Sequence, residues 1–276
     1  MKLKVFCLLI PFALLGSPRA AVGQMLDTNL DRYNALITKV NADVKAGKRT
    51  EAELADDLGQ FDVLLAAEKG ARTQLASHIL WQKGVLYLML FGDPDKAKAC
   101  FMELKTNYAD MVPADKLNAV LDDLEEQLLA KKARDALPPG SAFADFKMTD
   151  VAGQPLSVSQ YKGRVVLVDF WATWCPSCLM EMPNVIATYD KYHAQGFEII
   201  GVSLDDDKNR LLSFTQDKKM PWREYFDGLH WQNKLSTKYG IMAIPASILI
   251  DAQGKVIAWD LRGDELPKAV AKALAK

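Results

Sequence analysis

The sequence predicts an α/β domain built on a mixed sheet, preceded by an all-helical domain of antiparallel hairpins. Three observations carry this. Residues 25–135 space their apolar side chains at steps of three and four and show no strand pattern. Leu137-Pro138-Pro139-Gly140 is stiff and cannot continue a helix. Beyond it, apolar runs alternate with helical patterns, first as strand–helix–strand and then as hairpin–helix. That order makes one half of the sheet parallel and the other antiparallel.

The chain has 276 residues, half of them hydrophobic and a quarter charged, with a net charge of −1. This is the composition of an ordinary soluble globular protein. The near-neutral charge gives no reason to expect nucleic acid or an anionic membrane surface as partner. Lys2 and Lys4 precede the apolar run Val5 to Leu15, and the small residues Ala20, Ala21 and Gly23 follow. This is a secretory leader, and it predicts export with cleavage near Ala20 or Gly23. The run is shorter than the ~20 residues a spanning helix needs; an uncleaved membrane anchor is the alternative. The resulting division is 1–23 leader, 24–136 helical domain, 137–142 linker and 143–276 α/β domain.

Taken in order, Met25 to Ala46 presents Leu26, Leu30, Tyr33, Ile37, Val40 and Val44 on one helical face, and Gly47 ends it. Thr50 and Glu53 have capping-box spacing, and the next helix runs to about Lys69. Ala71 to Phe91 reads as a third, strongly apolar helix. Asp93 and Pro94 suit the start of a fourth, Asp95 to Asn107, and Pro113 opens a fifth that ends near Asp135. Gly84-x-x-Tyr87 and Ala97-x-x-x-Phe101-x-x-Leu104 together resemble one tetratricopeptide repeat; a helical bundle of no particular family is the alternative. Cys100 reads as a small buried hydrophobe. His78, His193 and His230 are scattered and receive no role.

After the linker, Phe143 to Met148 reads as a short strand, and Asp150 to Gln154 as a turn. Leu156 to Tyr161 reads as a brief strand and helical turn, and Arg164 to Phe170 as a strand buried on both faces. A helix from Leu179 to Ala194 stops at Gly196, and Phe197 to Leu204 is a second buried strand. Asp207 to Lys219 and Trp231 to Tyr239 read as helices, with Trp222 to Phe226 extended between them. Ala246 to Ile250 and Val256 to Leu261 form a hairpin around Asp251-Ala-Gln-Gly254, and Leu266 to Ala275 is the last helix.

The chemistry gathers in Val165-Val-Leu-Val-Asp169-Phe-Trp-Ala-Thr-Trp174-Cys175-Pro-Ser-Cys178. A strand delivers the chain to a turn, and the turn opens a helix with a cysteine at its start. The unpaired N–H groups and the dipole there favour an anion, which for cysteine is the reactive thiolate. Cys178 lies one turn along the same helix, close enough for a disulfide. A static disulfide or half of a zinc site are the plainer readings. Zinc would need two further ligands, and the sequence offers no second Cys-x-x-Cys and no His pair. No metal and no cofactor are therefore expected. Asp169 sits in the buried strand, where a lone carboxylate is costly unless protonated or paired.

Val-Asp-Phe-Trp-Ala-x-Trp-Cys-x-x-Cys resembles the active-site segment of the thioredoxin superfamily. The longer string Phe170 to Pro183 is similar to its extracytoplasmic TlpA/ResA-like branch, and the likeness runs from about Pro139 onward. The resemblance implies a thioredoxin-like fold with an insert around Asp207–Phe226 and a thiol–disulfide oxidoreductase. Cys175 is then the nucleophile and Cys178 the resolving thiol. It aligns Asp169 with a buried aspartate implicated in taking the proton of the second cysteine, and Glu181 with a glutamate that tunes the cysteine acidities. Many members carry Asn at the first of these positions, so which acid shuttles the proton stays open. Ile244-Pro245 aligns with the family's cis-proline, whose preceding residue offers its backbone to an extended substrate. Trp174 and Pro176 join these as substrate-binding candidates, whereas Trp171 is as well suited to the core. The implied partners are protein or peptide disulfides and a membrane or periplasmic thiol that recycles the site. Reduction is favoured over oxidation. A peroxiredoxin-type peroxidase would want Thr three and Pro seven residues before its cysteine, where this chain has Ala172 and Val168. A binding protein whose helical domain selects the client is compatible with the redox reading.

Overall fold

The structure is a computed structural model that describes residues 23–68 and 72–275. The leader lies outside the described residues, apart from Gly23. The chain divides into two compact units, with the boundary between Leu128 and Leu129.

The first unit is helical. Helix α1, Gly23–Lys45, buries Tyr33, Leu36, Ile37 and Val40 along one stripe. Thr50 and Glu53 cap each other reciprocally, with Glu53 N–H on Thr50 Oγ1 at 3.3 Å and Thr50 N–H on Glu53 Oε2 at 3.0 Å. Helix α2, Ala55–Glu68, follows and buries Leu58, Phe61 and Leu64. The expected third helix is two pieces. Helix α3, Gln74–Val85, is regular and capped by Thr73; Leu86–Phe91 winds more widely as a π-helix and ends at Gly92, whose φ is 65°. The six residues of that run are all apolar, so they name no single face to hold a regular period. Helix α4, Pro94–Asn107, is capped by Asp93 and buries Ala97, Cys100, Phe101 and Leu104. Gly84 lets the Phe101 ring lie against α3, since a Cβ there would come within 2.7 Å of it. Helix α5, Ala114–Asp135, buries Leu117, Leu121 and Leu124.

The second unit is a five-stranded sheet with helices on both faces. Strands β1, Met148–Thr149, and β2, Pro155–Leu156, form a small antiparallel pair beside it. The extended strand expected from Phe143 to Met148 is therefore only its last residue and the one after. Phe143 and Phe146 instead pack their rings on Tyr239. The Asp145 carboxylate meanwhile accepts the N–H groups of Val158 and Ser159. The main sheet comprises β3, Val165–Trp171; β4, Phe197–Ser203; β5, Arg223–Phe226; β6, Ala246–Ile250; and β7, Val256–Trp259. Their spatial order is β5-β4-β3-β6-β7, parallel from β3 to β5 and antiparallel from β3 to β7. Every residue of β3 and β4 is buried, the polar Asp169, Glu198 and Ser203 included, as strands covered on both faces require.

Helices α6, Pro176–Tyr192, and α7, Lys208–Asp217, cover one face: Tyr189 meets Phe197, and Phe214 meets Trp171. On the other face Tyr239 packs against Phe170. The helix expected from Trp231 to Tyr239 is shorter. His230–Gln232 is a single tight turn, and α8 is only Lys234–Lys238. Asn233 separates them because its side chain caps α8, accepting from Leu235 and Ser236 N–H. Helix α9, Glu265–Leu274, closes the fold.

Candidate active site

The site forms where β3 hands the chain to α6. Asp205, fully buried just after β4, accepts Thr173 N–H at 3.1 Å and Thr173 Oγ1–H at 2.5 Å, fixing the turn before the cysteines. Cys175 occupies the N-cap of α6, with Pro176 in the first turn where no N–H is needed. The Cys178 backbone N–H donates to Cys175 Sγ at 3.1 Å, and Ser177 Oγ stands 3.4 Å from the same sulfur. Cys175 and Cys178 are joined as a disulfide, their Cα atoms 5.2 Å apart. Both are buried, whereas Pro176 and Ser177 are exposed.

Ile244 and Pro245 arrive from far along the chain, and the bond between them is cis. The Ile244 carbonyl lies 3.7 Å from Cys175 Sγ. Arg262 Nη2 donates to the Pro245 carbonyl. Thus Cys175, Cys178, Pro176, Ile244 and Pro245 meet at one place.

Two acids stand on the elements that flank the cysteines, Asp169 on β3 and Glu181 on α6. Asp169, 6% exposed, has its carboxyl pushed up to about 7 by burial. The Arg262 guanidinium opposes this and the Glu181 charge reinforces it. Glu181 is half-buried on α6, and its Oε1 accepts Asn184 Nδ2–H at 2.6 Å and Gly263 N–H at 2.9 Å. Ser247 faces Asp169 in register across β6, and its buried Oγ has no hydrogen-bond partner among the described residues.

Trp174 is half-buried beside the disulfide. Its indole stacks on the His230 ring at 4.5 Å, and the Trp231 ring meets it edge-on at 5.8 Å. Trp231 is exposed, so an aromatic surface flanks Trp174. Trp171, in contrast, is core. Among the described residues, no group of three or more His, Cys, Asp or Glu side chains could hold a metal ion.

Several neighbours escape sequence reasoning. Arg262 and Ser247 sit in unremarkable contexts along the chain and reach Asp169 only through strand register and the loop after β7. His230 follows Gly228-Leu229, and its adjacency to Trp231 was the single signal of an aromatic cluster. Glu198 and Glu224 are further acids in buried strands, the same signal that singled out Asp169.

Residues 139–259 match the AhpC/TSA family. The thiol–disulfide oxidoreductase ResA of Bacillus thuringiensis subsp. konkukian is 30% identical over 137 residues, covering 50% of this chain and 77% of that protein. ResA of Geobacillus thermodenitrificans is 32% identical over 121 residues, covering 44% and 68%. A solved thioredoxin domain of a thiol–disulfide oxidoreductase from Bacteroides vulgatus is 33% identical, covering 49% of this chain and 97% of that one, with a TM-score of 0.45. The chain belongs to the ResA-like thiol–disulfide oxidoreductases of the thioredoxin superfamily.

Proposed function

We propose that the protein is exported and reduces disulfides of proteins or peptides through a Cys175/Cys178 dithiol–disulfide cycle. In the reduced enzyme the Cys175 thiolate attacks one sulfur of the substrate disulfide. A mixed disulfide forms and the other substrate sulfur leaves as a thiolate. Cys178 then loses its proton to a nearby carboxylate and attacks Cys175 Sγ. The second substrate thiolate leaves, and the Cys175–Cys178 disulfide holds the two electrons' worth of oxidation. An extracytoplasmic thiol partner returns the enzyme to its dithiol form.

The observation that carries this reading is the setting of Cys175 Sγ. It sits at the head of α6 with an N–H aimed at it from Cys178 at 3.1 Å. A negative sulfur is favoured there, and that is the attacking form. The Ile244 carbonyl at 3.7 Å stands ready to bond an extended substrate beside the sulfur. Export is supported by the leader pattern of residues 1–23, and among the described residues no helix is long and apolar enough to cross a membrane.

The test is insulin reduction by the dithiol-loaded protein. Wild type should precipitate the insulin B chain and Cys175→Ala should not; equal activity in the two would refute the cycle. The potential of the couple should fall nearer the thioredoxin value of about −270 mV than the DsbA value of about −120 mV. A value at the DsbA end would reverse the direction of electron flow.

A further inference from the structure

Glu224 is a buried acid with no part in the cycle above. Its position is set by strand register. Asp169 on β3 pairs with Gly201 on β4, and Gly201 pairs with Glu224 on β5. The three stand in one line across the parallel half of the sheet, on one face. A side chain on the middle strand would part the two acids, and Gly201 has none. A Cβ at Gly201 would lie 2.1 Å from Glu224 Oε2 and 2.3 Å from its Cδ. The Glu224 carboxyl therefore lies over bare β4 and reaches β3, where Trp171 Nε1–H donates to Oε2 at 3.1 Å. Trp222 Nε1–H donates to Oε1 at 2.9 Å.

Those two donors are neutral, and among the described residues no Lys or Arg forms an ion pair with Glu224. The groups around the two carboxyls are few. Glu181 approaches from α6, Arg262 from the loop after β7, and Asp205 from the loop after β4. Ser247 on β6 and the indoles of Trp171 and Trp222 complete the set, with Phe214 of α7 packed on Trp171. Among the described residues Arg262 is the one cation in this set, and it acts on Asp169. Two carboxyls in one low-dielectric site cannot both ionise freely.

We propose that Glu224 is a positioning residue for the thiol chemistry: across the gap left by Gly201 it keeps a proton beside Asp169, so that the two carboxyls titrate as one pair. This rests on the reading that Asp169 serves the Cys175/Cys178 cycle. Burial, with the Asp169 charge behind it, pushes Glu224 up to about 8, against about 7 for Asp169. The pair then carries one negative charge just above neutral pH, and a second only in alkali.

The test is a carboxyl 13C NMR titration of the reduced full-length protein, run beside the pH profile of mixed-disulfide resolution. Asp169→Asn should lower the Glu224 step by about one pH unit, the coupling at which two sites share their titration. Glu224→Gln should remove the alkaline bend from the resolution profile and leave a single bend. A Glu224 step that Asp169→Asn does not move overturns the proposal, as does an unchanged profile in Glu224→Gln. The Asp169→Asn arm keeps Glu224 between its two indoles, so the proposal stays testable if Glu224→Gln does not fold. Absence of insulin reduction by wild type would sink the functional reading instead, and the titration would still report the coupling.

Discussion

The carbonyl oxygen of Ile244 lies 3.7 Å from Cys175 Sγ, although 69 residues separate them in the chain. The sulfur at the head of α6 thus faces a backbone acceptor on the segment that leads into β6. A substrate strand laid along that segment would present its own sulfur to Cys175. Arg262 holds the next carbonyl, that of Pro245, and also lowers the cost of a charge on Asp169. One guanidinium therefore acts on both the segment that faces Cys175 and the acid.

Arg262→Met should move the acid limb of the pH–rate profile for insulin reduction to higher pH. The Arg262 charge favours ionised Asp169, so its loss leaves Asp169 protonated to higher pH. Activity at pH 7 should fall on the order of tenfold for every pH unit the limb moves, with recovery in alkali. A uniform loss across all pH values would assign Arg262 to docking alone.

Glu181→Gln should move the same limb the other way. Glu181 opposes the Asp169 charge, and Gln can still accept the Gly263 N–H through its Oε1. The limb should move to lower pH while the melting temperature stays nearly constant. A move to higher pH would contradict the sign of the Glu181 effect.

Asp169→Asn should separate stability from activity. The folded protein raises Asp169 from 3.8 to about 7, so between those pH values the folded state binds more proton than the unfolded chain. Stability therefore falls as pH rises from about 4 to 7, by on the order of 4 kcal/mol, and stays level above. Asn removes that loss. Urea denaturation at pH 8 should find the variant more stable than wild type, with the advantage gone near pH 4. Turnover should meanwhile drop by roughly 100-fold or more, the usual worth of a positioned base.

Gly201→Ala should destabilise the protein by roughly 3 kcal/mol, because the new methyl would overlap the Glu224 carboxyl. Glu224→Ala in the same chain should restore part of it. Chemical denaturation of both single variants and the double variant gives the coupling; strict additivity would show that the two positions do not meet.

The redox core was legible because local chemistry and local structure coincide there. A buried Val-rich strand, a turn and a helix start are all written within Val165 to Cys178, and the structure realises them as β3 and α6. The partners of Asp169 were not legible, because Ser247, Arg262 and Glu224 come to it through sheet register and a distant loop. Local patterns also misled where tertiary packing intervened. The segment from Phe143 to Met148 reads as a strand, yet Phe143 and Phe146 pack on Tyr239, and Asn233 interrupts an apparently continuous helical pattern by capping α8. The π-helix at Leu86–Phe91 leaves no mark in a run that is apolar at every position.

The most direct measurement is intermediate trapping with a disulfide-containing peptide and mass analysis of the adduct. Cys178→Ser should accumulate a mixed disulfide on Cys175, since attack proceeds and resolution cannot. Cys175→Ser should accumulate none. An adduct on Cys178 in the second variant, or none in either, would contradict the assignment of Cys175 as nucleophile.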